Sequence, residues 1–269
     1  LIINDLLISP AGYEHLNYDY FKQINYNQKL WQTLYTDWGL AIAACIEGDI
    51  QRGIKIKPNK TANSELEKYA KSWLSYHEGC YCLQNNNDWR KSKSILQEAK
   101  NLITINLEWK QQLDKIFEKK REQINDLSEH LELAQFWYNL FNSKKSRSYL
   151  AEMKVEELRH KILDKKISIK EALTKFKQIQ SIDYNNPVVI DMIEKTELLI
   201  EMEEIDNLIK YNNFEDAVNR AKRSSNPQIR KMVADYCLEI LVNGMKSQSL
   251  HPQLVIQLVH WASELCPND

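Results

Sequence analysis

The chain has 269 residues, of which 43% are hydrophobic and 27% are charged, and its formal net charge at pH 7 is −1. This apolar fraction is sufficient for a buried core, while the small net charge gives no overall bias toward nucleic acid or anionic membranes. No apolar run reaches the roughly 18 residues that a membrane-spanning helix needs, which excludes a membrane span.

The first segment, residues 1–62, is predicted to hold aromatic-rich helices and a first hairpin. Its aromatic residues precede the small-residue run 39–44, a pattern typical of an aromatic entry helix followed by a tightly packed one. We expect a loop over residues 54–62. The aromatic positions are Tyr13, Tyr18, Tyr20, Phe21, Tyr26, Trp31, Tyr35 and Trp38.

Residues 1–8 are not expected to act as a secretory signal peptide, because they lack a basic region and a small-residue cleavage site. The chain starts with Leu1 rather than Met, so we expect it to be a fragment of a longer protein. The cysteines are interpreted as reduced thiols, which predicts a cytoplasmic protein. They are Cys45, Cys80, Cys82, Cys237 and Cys266.

The central segment, residues 63–143, is predicted to form hairpins. Asn63 or Ser64 is a candidate N-cap for a helix with apolar residues at helical spacing, and its return helix runs from Trp89 to Ile103. The apolar stripe from Leu113 to Phe141 fits one long helix or two helices, and the sequence leaves both open.

The last segment, residues 144–269, is predicted to contain further helix pairs. Pro187, Pro227 and Pro252 are suited to the first turn of a helix. Residues 80–186 contain neither glycine nor proline. A β-sandwich or β-barrel needs such residues in its tight turns, so the chain is predicted to be all-α.

A short motif returns along the chain. An apolar-striped helix and a polar break are followed by a bulky residue, a small residue three positions later, and a second helix. A fifth, degenerate copy is placed near Asn142. Recurrence at a spacing near forty is typical of stacked helical hairpins. The bulky and small positions are Ile50 and Gly53, Trp89 and Ser92, Ile169 and Ala172, and Phe214 and Ala217.

With these positions the chain resembles the tetratricopeptide-like family. Ala99, Ala217 and Ala221 occupy its small-residue positions, Trp89 and Phe214 its bulky turn position, and Gly79 lies one place from its usual glycine. The resemblance covers about two-thirds of the chain. It implies a right-handed superhelix of antiparallel helical hairpins, an α-solenoid with a concave peptide-binding face.

Catalytic chemistry has no support in the sequence. His77 and Glu78 resemble the start of a zinc-protease helix, but Tyr81 occupies the place of the second histidine. No His, Cys and Asp cluster has ligand spacing, and no phosphate-binding loop or nucleophile elbow is present. We therefore predict no catalytic residue, cofactor or metal, and interpret His77 as a core or interface histidine.

Charge is unevenly distributed. Residues 144–177 hold eleven basic and five acidic residues, whereas residues 183–206 hold eight acidic residues and one lysine. Two interpretations stay open. Adjacent hairpins neutralise each other, or a basic surface and an acidic surface bind separate partners.

The function predicted from these features is a non-catalytic scaffold that binds a partner protein segment in a helical-repeat groove. One alternative is a regulatory helical domain of a larger, possibly enzymatic, protein. Another is an RNA-binding helical repeat that uses the basic stretch, although no set of base-stacking aromatic residues beyond Tyr149 interleaves with its bases. The oligomeric state is left open. The predicted partner-binding residues are Lys154, Lys161, Lys165, Lys166, Trp73, Tyr76 and Tyr81, with the aromatic ones alternatively in the core.

Overall fold

The computed structural model describes residues 38–267 except 43, 46, 60, 63, 64, 86–88, 248 and 249. Most of the aromatic entry segment and both N-cap candidates at 63 and 64 lie outside the described residues. Within the described part every regular element is an α-helix, which confirms the all-α prediction.

The helices follow one another through short turns, and neighbouring helices pack together. Residues 38–42 and 44–45 are helical and precede the first complete helix. The complete helices are α1 Ile50–Ile56, α2 Glu65–Asn85, α3 Lys91–Glu98, α4 Lys100–Ile105, α5 Leu107–Arg121, α6 Leu127–Leu140, α7 Lys144–Leu163, α8 Ile169–Gln180, α9 Pro187–Lys210, α10 Phe214–Arg223, α11 Pro227–Lys246 and α12 Pro252–Leu265.

The stripe from Leu113 to Phe141 forms two helices, α5 and α6. Asp126 separates them, because its carboxylate accepts a hydrogen bond of 2.9 Å from the backbone N–H of Glu129 and so caps α6. Proline occupies the first turn of α9, α11 and α12, as predicted from Pro187, Pro227 and Pro252.

Two boundaries differ from the sequence-based expectation. The predicted return helix is divided at Ala99 into α3 and α4. The predicted loop over residues 54–62 begins later, because α1 continues to Ile56. The second difference concerns a helix end, where boundaries are least well defined, whereas the first divides the interior of the predicted helix.

The bulky residues of the four motif copies lie at or just before the start of a helix. Ile50, Ile169 and Phe214 each begin a helix, and Trp89 lies two residues before α3. The small residue three positions later is buried in every copy, at Gly53, Ser92, Ala172 and Ala217. Burial at these positions leaves little room for a larger side chain.

Close approach explains two glycines. A methyl group at Gly53 would collide with Cys45 Sγ, and one at Gly79 would collide with the buried side chain of Leu96. Gly79 therefore allows α3 to pack closely on α2, although it lies one position from the place expected for the family.

The segment near Asn142, where the degenerate fifth copy is predicted, leads into α7. The hydroxyl of Ser143 accepts a hydrogen bond of 3.1 Å from the N–H of Ser146, and the hydroxyl of Ser146 accepts one of 3.0 Å from the N–H of Ser143. This reciprocal cap satisfies two backbone donors at the helix start. Ser146 is fully buried.

The described residues form two compact units, and the boundary between them falls inside α7, between Lys154 and Val155. The division predicted at residues 62 and 143 follows the repeat pattern of the sequence and stays a prediction.

The core of the first unit is aromatic. The ring of Phe117 stacks on Trp137 with centroids 5.0 Å apart and meets Phe136 edge-on at 5.4 Å. The polar tip of the buried indole is satisfied, because Trp137 donates a hydrogen bond of 2.9 Å to Asp114. Burial raises the pKa of the Asp114 carboxyl, and hydrogen bonds from Ser143 and Trp137 oppose that shift.

The second unit has a mainly aliphatic core formed by the end of α9 with α10, α11 and α12. Helix α9 is buried on two different faces. Val189, Ile193 and Thr196 are buried in its first half, and Ile205 and Ile209 join the shared core in its second half. At about 100° per residue the two faces lie roughly 170° apart around the helix, on nearly opposite sides.

No helix in the described residues is both long enough and apolar enough to cross a bilayer.

Candidate partner-binding site

The predicted aromatic residues of α2 lie mostly inside the first unit. Trp73 and Tyr76 are only 3% and 1% exposed. The ring of Tyr76 stacks on Trp109 at 3.9 Å, and its hydroxyl donates a hydrogen bond of 2.9 Å to Gln112. Because these two side chains offer almost no surface to a partner, we count them as core residues and leave them out of the binding surface.

His77 belongs to the same aromatic cluster. Its ring lies 4.0 Å from that of Trp73 and 5.1 Å from that of Tyr76. The surrounding rings remove water from the imidazole, and this desolvation lowers the pKa of His77 to about 4. The histidine is therefore neutral at physiological pH and serves packing.

Tyr81 is the one predicted aromatic residue that keeps a substantial exposed surface. It is half-buried, and its hydroxyl accepts a hydrogen bond from Gln51 at the start of α1. This contact links α2 to α1.

Most of the basic stretch is paired with carboxylates. Lys161 bonds Glu157 at 2.6 Å and Lys166 bonds Asp164 at 2.7 Å. The hydrogen bond from Lys166 lowers the pKa of Asp164. Five further bases of the stretch form ion pairs: Lys145 with Glu118, Arg159 with Glu156, Lys170 with Glu204, Lys175 with Glu171, and Lys177 with Glu197.

The pairs Lys170–Glu204, at 2.8 Å, and Lys177–Glu197, at 2.7 Å, join α8 to α9. Glu204 also bonds Arg220 of α10, and the hydrogen bond from Lys170 is the main cause that lowers its pKa. This arrangement supports the interpretation that adjacent hairpins neutralise each other.

Two of the predicted lysines have no carboxylate partner among the described residues. Lys154 is half-buried on α7, whereas Lys165 is exposed in the turn between α7 and α8. Lys165 also has a left-handed backbone, with φ of 56°.

The left-handed residue terminates α7. The N–H of Lys166 donates to the carbonyl of Lys161, and that of Lys165 donates to Ile162, both at 2.9 Å. This pattern is the Schellman cap, in which glycine is the usual left-handed residue. A lysine there costs roughly 1 kcal/mol relative to a relaxed backbone.

Lys165 and Lys166 line an open depression at this turn. Apolar side chains of Ile162, Ile167 and Ile169 line it as well, and Leu163 next to it is 77% exposed. Glu171 and Glu203 contribute negative charge on the same surface. The depression therefore combines aliphatic surface with charges of both signs.

Metal and thiol chemistry find no support in the described residues. No group of three His, Cys, Asp or Glu side chains there is placed to hold a metal ion. Burial raises the pKa values of Cys45 and Cys80 to about 12, so these thiols are protonated and unreactive at neutral pH.

Sequence reasoning identified Lys165 and Lys166 but missed the apolar part of the depression. Leu163 and Ile167 do not stand out from the apolar pattern of the sequence. They reach the surface because α7 ends at Leu163. Sequence reasoning also missed an exposed apolar row on α11 and α12. The signal for it was available, since both helices carry apolar residues on more than one face.

No family model, no curated protein and no solved structure matches this chain.

Proposed function

We propose that this protein is a non-catalytic interaction module that binds a partner protein segment at the α7–α8 turn. The observation that carries the proposal is Lys165, an exposed lysine that has no carboxylate partner among the described residues and is held in a backbone conformation that favours glycine. Residues held in such sparsely populated conformations cluster at binding and active sites.

The composition of the depression defines the partner. Ile162, Ile167 and Ile169 fit aliphatic side chains, and Lys165 fits a carboxylate. The partner is therefore a short segment with an acidic residue beside aliphatic ones. The arrangement of the hairpins into a superhelical, tetratricopeptide-like groove is part of this proposal.

RNA binding has weaker support. A nucleic acid site needs cations free to neutralise phosphates. Seven of the eleven bases in the stretch are already paired within the chain. Glu171 and Glu203 beside the free Lys165 would repel a polyanion.

The test is to pan a displayed random-peptide library against the purified chain and against its Lys165→Gly variant. We expect the native chain to enrich peptides with an acidic residue next to aliphatic ones, and the variant to lose them. Lys165→Gly should also raise the free energy of unfolding by roughly 0.5–1 kcal/mol, because glycine relieves the left-handed strain.

Asn212→Gly is the matched control. Asn212 occupies the same left-handed cap position at the end of α9, with φ of 58°. The control variant should keep peptide enrichment, and it should gain less stability since asparagine tolerates this conformation. Enrichment that is equal on the native chain and Lys165→Gly would contradict the proposal. Salt-sensitive binding of a fluorescent RNA oligonucleotide without peptide enrichment would favour the RNA alternative.

A further inference from the structure

The last hairpin carries a row of exposed apolar side chains. On α11 these are Leu238, Val242 and Met245, of which Met245 is 62% exposed. Their spacing of four and three residues places them on one side of the helix. On α12, Ile256 and Val259 are exposed at a spacing of three, and Ile256 reaches 70%.

Both sets lie on the side of the hairpin turned away from α10. On α11, Tyr236 stacks against Phe214 of α10, and the next residue, Cys237, lies in the core. Leu238 follows about 100° further around the helix, which places it away from α10.

On α12, Glu264 forms an ion pair with Lys222 of α10 at 2.6 Å, and Leu258 lies in the core. Val259 follows Leu258 and lies on the side of the core opposite to Glu264, so it too is turned away from α10. Because α11 and α12 pack along each other, the two sets form one outer surface. We call it the α11–α12 outer face.

This clustering distinguishes the face from the rest of the second unit. The other strongly exposed apolar side chains of that unit, Leu163, Tyr184, Leu199 and Tyr211, are separated along the chain. Single exposed apolar residues are normal, whereas a contiguous row marks an interaction surface.

Two charges of opposite sign flank the row on α11. Asp235 and Lys246 are exposed, and neither has an oppositely charged partner in the part of the chain that the structure describes. The two residues are eleven positions apart, three helical turns, so they lie on the same flank of the helix near the two ends of the row.

These charges match an antiparallel copy of the same helix. Suppose that Leu238 of one copy faces Val242 of the other in an antiparallel helix pair. Asp235 lies three residues before Leu238, and Met245 lies three residues after Val242, so Asp235 of the first copy comes next to Met245 and Lys246 of the second. Both charge pairs form at once in such an arrangement, because residues on the same flank meet in an antiparallel helix pair.

We propose that the α11–α12 outer face binds the same face of a second copy of this chain, with α11 antiparallel to α11 and Asp235 beside Lys246 of the other copy. A twofold interface uses one surface twice, so it requires a self-complementary surface. The apolar row and its flanking charges meet that requirement. The proposal is independent of peptide binding at the α7–α8 turn.

The test is sedimentation velocity of the full chain over a wide range of concentration. We expect a reversible dimer. Asp235→Lys or Lys246→Asp alone should weaken it by about tenfold or more, because each places like charges together. The double variant Asp235→Lys/Lys246→Asp should restore the native dissociation constant, since it exchanges the two charges.

Two further variants separate the face from general effects. Met245→Lys should abolish the dimer while circular dichroism stays native, because Met245 is exposed in the monomer. Asp206→Lys, an exposed charge change on α9, should leave dimerisation unchanged. A monomer at every concentration, no restoration in the double variant, or a dimer that tolerates Met245→Lys would each overturn the proposal. A monomer that binds an amphipathic helical peptide at this face would show that another protein is the occupant.

Discussion

The bulky residue of the motif makes different contacts in the two units. In the first unit Trp89 is fully buried, its indole donates a hydrogen bond of 2.7 Å to Glu129, and Arg90 and Lys93 lie over its ring at 5.3 and 5.0 Å. In the second unit Phe214 is half-buried, and its ring stacks on Tyr236 with centroids 6.2 Å apart.

The comparison shows that one sequence pattern accommodates two ways of holding helices together. In the first unit large aromatic rings fill the core, and the polar tips of Trp89, Trp137 and Tyr76 are hydrogen-bonded. The second unit uses a mainly aliphatic core, with exposed ion pairs between its helices. Directional ring contacts and hydrogen bonds therefore contribute to the core of the first unit, whereas non-directional aliphatic packing dominates the core of the second.

Truncation of the two rings is the strongest way to test this contrast. Trp89→Ala should lower the free energy of unfolding by about 3–5 kcal/mol, because it opens a cavity and removes the donor to Glu129. Phe214→Ala should cost about half as much, because its ring is partly exposed. Urea unfolding followed by circular dichroism measures both. Equal costs would contradict the contrast between the units.

The next largest effect is the pH dependence of the first unit. The pKa of His77 is about 4 in the folded chain, against about 6.5 for an unfolded one. The unfolded state therefore binds more protons between these values, so stability is fully present above pH 6.5 and is lost as pH falls toward 4. The loss is at most about 3 kcal/mol.

Tryptophan fluorescence is a suitable probe for this loss, because Trp73, Trp89, Trp109 and Trp137 lie in the first unit, and Trp261 is the only tryptophan of the second. Urea midpoints at pH 7 and pH 5 should differ less for His77→Phe than for the native chain. A pH dependence that is unchanged in the variant would show that other groups cause it.

Much of this fold is predictable because local rules agree with it. Asp126 and the three helix-initiating prolines act within one turn of chain, and the small residues of the motif follow from helical spacing. These features depend on neighbours in sequence, which the sequence displays directly.

The candidate site is less predictable because it depends on distant contacts. Lys170 and Lys177 look available in the sequence, but α9 supplies Glu204 and Glu197 to both. Trp73 and Tyr76 look like groove residues until Trp109 and Gln112 of α5 cover Tyr76. Lys165 becomes distinctive only through its backbone conformation.

Glycine substitutions test the close packing of each unit. Gly79→Ala should destabilise the first unit by about 1 kcal/mol, because collision with buried Leu96 exceeds the gain in helix propensity. Gly244→Ala should be near neutral, since Leu250, which it would meet, is half-buried at a turn and can move. Thermal melts compare the two variants. Greater damage from Gly244→Ala would reverse the expected order.

The smallest expected effect concerns the ion pairs. Glu204→Gln should cost less than about 1 kcal/mol at low salt and nothing measurable at high salt, because Lys170 and Arg220 are exposed. Glu78→Gln in the first unit is the matched comparison. Its pair with Lys57, at 2.8 Å, is less exposed, so its cost should persist in salt. Equal salt dependence of the two variants would remove the distinction.

Helix α9 limits how the length of this chain can change. One inserted residue between Thr196 and Ile205 would rotate everything after it by about 100°, which would turn Ile205 and Ile209 away from their core while Val189 and Ile193 stayed in place. The turn at residues 181–186 can absorb the same insertion without rotating either buried face. The second unit can therefore change in length between its helices but not within α9. The number of residues in α9 fixes the angle between the face that buries Val189 and Ile193 and the face that joins the core with α10, α11 and α12.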